Sequence, residues 1–208
     1  MFTRITHELK EHLPFTLVGA FSGIVFMFLF RNLPRETSYK LFYVFHPLHV
    51  LLSALVTASL FQLHTCPKGG GKRCNLPFLF LIGFVGSVGV ATLSDSVMPY
   101  LGEALLDMPH RHHHIGFLEE WWLISGMAVV GIVIAYFNPA TKFPHAGHVL
   151  VSTWASLFHI LMAKGGALSW IVYLYIFIFL FLAVWIPCCV SDIVFPLLFV
   201  KDNKKNIS

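Results

Sequence analysis

The sequence predicts an all-α membrane protein of six transmembrane helices, built as two inverted three-helix repeats, with both termini cytoplasmic. Composition is the first reason. Of 208 residues, 57% are hydrophobic, 12% are charged and 21 are Phe, and the mean hydropathy is +0.75, too apolar for a soluble domain of this length. The second reason is a series of six apolar runs, each near the roughly 20 residues that a helix needs to cross a hydrocarbon core of about 30 Å. The third is an internal duplication whose halves hold three runs each.

The first run, Leu13 to Phe30, follows a stretch with Arg4, Glu8, Lys10 and Glu11, and no small-residue cleavage site closes it. It reads as a retained helix, not a cleavable signal peptide. The second and third runs are Leu41 to Leu63 and Leu76 to Tyr100. The fourth, fifth and sixth are Trp121 to Phe137, Phe143 to Ala163, and Leu168 to Val200, the last long enough to tilt or bend. Pro14, Pro47 and Pro144 fall near expected helix starts, where a missing N–H costs little, and Pro99 and Pro196 fall near expected ends. An even number of spans places both termini on one side. That side holds Arg4, Lys10, Lys68, Lys72, Arg73, Lys142, Lys201, Lys204 and Lys205, against Arg31, Arg35, Lys40, Arg111 and Lys164 on the other. The bias makes the terminal side cytoplasmic and suggests the plasma membrane. The net charge of +4 then belongs to loops beside lipid, and no nucleic-acid partner is expected.

The duplication is read from short segments. His46-Pro-Leu-His49-Val-Leu-Leu-Ser53 recurs as His145-Ala-Gly-His148-Val-Leu-Val-Ser152, and Ser94-Asp95-Ser-Val97-Met-Pro99 as Ser191-Asp192-Ile-Val194-Phe-Pro196. Upstream, Glu11, Ala20 and Gly23-Ile24-Val25 recur as Glu119, Ala128 and Gly131-Ile132-Val133. Residues 1–106 and 107–208 are thus two repeats of one membrane domain. Three spans per repeat force the second copy into the membrane from the opposite face, an architecture also found among secondary transporters.

The retained residues are mostly metal-ligand types. Histidines three apart on a helix share a face, and Ser53 or Ser152 continues that stripe. Tracing the chain through six spans gives two clusters, one toward each surface: His46, His49, Asp95 and Glu119, and His145, His148, Asp192 and Glu11. Glu120, His12 and His114 are further candidates. Two imidazoles and two carboxylates suit zinc, iron, manganese or nickel better than copper(I) or calcium, so two divalent transition metals per chain are expected. A carboxylate in hydrocarbon costs about 2.5–3.5 kcal/mol even on a lenient scale, which calls for partners at Asp95 and Asp192.

Other features read more plainly. Cys66 and Cys74 flank a flexible loop in a reducing compartment, so no disulfide is expected there, and Cys188 and Cys189 read as packing residues. His159 has Leu60 in the matching place and reads as an interhelical hydrogen-bonding residue. The His110 to His114 stretch reads as a solvated loop that could add ligands. His7-Glu-Leu-Lys-Glu11 lacks the second histidine of a zincin helix. The expected function is proton-linked transport of a divalent ion of zinc, iron, manganese, nickel or cobalt, with an intramembrane metal-dependent hydrolase or oxidoreductase as the alternative. Haem is disfavoured, because two histidines three apart on one helix cannot be both axial ligands of one group. The partners are the bilayer and the metal, and self-association is left open.

Overall fold

The computed structural model describes residues 2–65, 75–166, 168–189 and 195–199, with the side chains of 2–12, 15, 142, 143, 145, 189 and 197 outside that description. The described chain is all helical, with no strand among those residues. In order it forms α1 (Phe2–Leu29), α2 (Arg35–Thr65), α3 (Leu76–Thr92), a π-helical turn at Leu93–Val97, α4 (Met98–Leu105), α5 (Gly116–Glu119), α6 (Trp121–Phe137), α7 (Lys142–Ala163), α8 (Trp170–Cys189) and α9 (Phe195–Leu198). Four helical stretches are long and apolar enough to cross a membrane: Arg35–Thr65, Leu76–Leu105, Ala146–Ala163 and Trp170–Cys188. Two apolar helical segments are shorter, Thr16–Leu29 and Trp121–Phe137. At 1.5 Å per residue, a 17-residue α6 is about 26 Å long, just under the hydrocarbon thickness.

Several expected boundaries move. α1 and α2 begin at Phe2 and Arg35, so Pro14 and Pro47 lie inside helices instead of at their starts. Pro99 does not end its span either. Proline has no N–H to give a carbonyl one turn back and its ring crowds that carbonyl, yet the helix passes through Pro99 to Leu105. It does so by widening into the π turn, where the Met98 N–H bonds to the Leu93 carbonyl. The side chain of Asn75 starts this stretch by capping the Phe78 N–H, with Pro77 in the first turn.

The helices interlace. α2 and α7 form the central pair and are antiparallel: Phe42 meets His159, Phe45 meets Phe158, His49 meets His148, and the Ser59 hydroxyl accepts from the Ala140 N–H. α1 packs on α7 and α8, while α6 packs on α2 and α3. Each helix of that outer pair thus lies against elements from the other half of the sequence. The glycines show the same exchange. A side chain at Gly23 would press on Thr153 and Leu180, and one at Gly131 would strike the Leu51 carbonyl and Ala54. Gly23 and Gly131 match in the repeat, as do Ala54 and Thr153. Small residues let these backbones approach where no hydrophobic effect drives helices together in lipid.

The end of the bundle where α2 and α8 begin carries exposed Trp121, Trp122 and Trp170, with Arg31 over the Phe28 ring at 5.0 Å. Such tryptophans and cations suit the level of lipid headgroups. Replacing Gly131 by Val should lower stability by about 1–3 kcal/mol, the usual cost of overpacking, read as a fall in the thermal midpoint in detergent. Gly126→Val, with nothing within 4 Å, should leave that midpoint in place. Equal midpoints for both variants would contradict the close approach of α6 to α2.

Candidate metal centre

Pro99 determines much of the site. With the Met98 N–H spent on Leu93 and no N–H at Pro99, the Ser94 carbonyl has no donor from its own helix. The Ser156 hydroxyl of α7 donates to it at 3.0 Å. The π turn also buries Ser94, Asp95 and Ser96 completely or nearly so, and single π turns inside α-helices often mark functional positions.

Asp95 is fully enclosed and all its bonds come from neutral or shareable donors. His46 Nδ1 donates to Oδ2 at 2.9 Å and His49 Nδ1 to the same oxygen at 2.7 Å. Oδ1 accepts from the Ser94 hydroxyl at 2.7 Å and the Ser152 hydroxyl at 2.8 Å. Both imidazoles are thus held through Nδ1, with Nε2 on the side of each ring away from the carboxylate. This is the outer-shell arrangement in which a carboxylate orients metal-binding histidines. Asp95, expected as a metal ligand, is hydrogen-bonded to two of the expected histidine ligands.

The second half supplies the rest. His49 and His148, expected in separate clusters, have ring centroids 5.2 Å apart. Because α2 begins at Arg35, His49 lies about 21 Å from one end of that helix and about 24 Å from the other at 1.5 Å per residue. The antiparallel crossing with α7 brings the matching residue to the same level. Cys188 joins them from α8: one donor atom each from His49, His148 and Cys188 lie within 4.8 Å of one another, all buried. Cys188 Sγ is 3.9 Å from His49 Nε2. A tetrahedral zinc with bonds of roughly 2.0–2.3 Å holds its donors roughly 3.3–3.8 Å apart, close to the Cys188–His49 separation.

The remaining expected residues divide. Ser152 is in the centre through Asp95, and Ser53 is buried on α2. His46 shares Asp95, but its Nε2 has no hydrogen-bond partner and faces Gly116, where any side chain would collide with the imidazole. Glu119 is not beside Asp95. It accepts from Tyr43 and from Tyr39 at 3.3 Å, and lies 3.2 Å from His114 Nδ1. Glu120 caps α6. The side chains of His145, Asp192, Glu11 and His12, with Cys66 and Cys74, lie outside the described residues. Cys188 escaped sequence reading because Ala91 stands at its matching place; the only signal was a cysteine one turn before Asp192. Ser94 stood within the duplicated motif.

Comparison with protein-family models, curated proteins and solved structures finds no match.

The Glu119 group closes the end of the bundle above His46. Burial raises the Glu119 carboxyl, but the Tyr43 hydrogen bond and the His114 imidazole outweigh it and hold the group below its ordinary value. Burial likewise lowers His114 below the usual imidazole value, against the pull of Glu119. Both shifts have one sign: the unfolded chain binds more protons, so stability is lost as pH falls. The His114 share goes as pH drops below about 6.5, and the Glu119 share from about 4.3 down through its lower folded value. Acid titration followed by the fluorescence of neighbouring Trp121 and Trp122 should show two steps, with the lower one missing in Glu119→Gln. An unchanged lower step in that variant would assign it elsewhere.

Proposed function

We propose that the chain is a multi-pass transporter of a divalent transition metal in the cell membrane, carrying its ion at one centre made by both halves. The observation that supports this reading is the meeting of His49 and His148 midway along the α2–α7 crossing, with Cys188 beside them. The reading keeps six spans, inverted three-helix halves and cytoplasmic termini, and the packing of α1 on α7 and of α6 on α2 supports its interlaced halves. A site between inverted halves, deep in the bundle, is where rocking of one half against the other exposes an ion to each side in turn.

Ligand chemistry narrows the ion. Two imidazoles and a thiolate favour zinc, with cobalt, nickel and iron(II) next, over manganese, which prefers oxygen. A dication beside the Cys188 thiolate and the Asp95 carboxylate leaves little net charge, as burial in a bilayer demands. Thiol and imidazole lose protons when a metal binds, which links transport to protons. The three-ligand set also leaves a tetrahedral position for water, as a metalloenzyme requires, and that is the second reading.

Purified protein should bind one zinc per chain, and His148→Ala none. Asp95→Asn should keep the ligands but weaken binding about 10–100-fold, as loss of an orienting carboxylate does. Reconstituted in liposomes, wild type should move zinc. Failure to move any of these ions under any gradient would sink the transporter reading, and two metals per chain would contradict the single shared centre.

A further inference from the structure

A second buried acid–imidazole pair lies apart from the metal centre. Glu103 on α4 and His159 on α7 are 1% and 0% exposed, and His159 Nδ1 donates to Glu103 Oε1 at 2.7 Å. Glu103 Oε2 and His159 Nε2 have no hydrogen-bond partner. The duplication does not require this pair, since Leu60 matches His159. An incompletely satisfied carboxyl group in the bundle interior is costly, and such groups in membrane helices commonly mark proton relays.

The pair continues outward through titratable groups. The His114 and His159 rings are 6.0 Å apart, close enough for one water to join them, and His114 Nε2 also has no partner. His114 Nδ1 faces Glu119, whose side chain is 32% exposed. His112 also faces Glu103, through its backbone N–H as well as its imidazole. Inward the path meets the Phe42 ring, stacked on His46 at 5.1 Å and edge-on to His159 at 5.5 Å. An apolar ring thus stands between this pair and the Asp95 cluster.

We propose that Glu103 and His159 form a proton-carrying site, loaded from the Glu119 end through His114, that couples proton movement to metal movement. The proposal rests on the transporter reading. A proton reaching His159 Nε2 makes an imidazolium, and the Nδ1 proton then passes to Glu103. The products are a neutral imidazole protonated on Nε2 and a neutral carboxylic acid. One proton has been taken up, no other bond has changed, and the pair has gone from one negative charge to none. With Phe42 between them, proton and metal occupy different places, so their roles are separable.

Full-length protein in liposomes gives two readouts: zinc uptake driven by a pH gradient, and exchange of isotopic zinc at equal pH. Glu103→Gln should lose the driven uptake and keep the exchange. His114→Gln, nearer the surface, should slow only the driven uptake. Driven uptake at the wild-type rate in Glu103→Gln overturns the relay, as does loss of both activities in that variant while His114→Gln retains both. Wild type that neither takes up nor exchanges zinc overturns the transporter reading itself, and the coupling role with it.

Discussion

One carboxylate oxygen accepting from two histidines is the constraint on which the rest of the centre depends. Asp95 is the fully buried acid of the Asp95 cluster, and its four hydrogen bonds draw on α2, α7 and its own π turn. Removing it would leave the Nδ1 atoms of both imidazoles without their partner, each unsatisfied group costing about 1–3 kcal/mol, while the Ser94 and Ser152 hydroxyls keep longer contacts to the Ala91 carbonyl and to Ser94 Oγ. The same bonds hold both imidazoles by Nδ1 and fix the orientation of their rings. Folding and histidine orientation are therefore one problem at this position.

Much of this was legible in the sequence for a simple reason: similar short motifs recur there with their spacing kept. His46, His49 and Asp95 come together as the spacing implied, and the repeat also pointed to His148 and Ser152. What the spacing could not reveal was depth. Apolar runs locate hydrophobic residues, not helix ends, and α2 starts in the polar stretch at Arg35. The added turns move His49 from a helix entrance to its middle. His49 and His148 meet because antiparallel helices bring such residues together near their crossing point.

Cys188 and Glu103 were harder to find, for different reasons. Cys188 has no repeated partner, so duplication was silent about it. Glu103 lies beyond Pro99, past the expected end of the span, and only the π turn carries the helix far enough to bury it. Pro99 was read as a terminator on sound grounds, since proline usually stops a helix. Here a neighbouring serine supplies the missing hydrogen bond.

That serine makes the helix mechanically weak at a chosen level. α3 and α4 are joined across Ser94 by a carbonyl held from α7 through Ser156, while Ser152, one turn earlier on α7, holds the Asp95 carboxylate. Withdrawal of α7 would release both bonds together. The joint would then be free to flex as the carboxylate lost part of its support, so bending of the helix and loosening of the His46 and His49 imidazoles would be a single event.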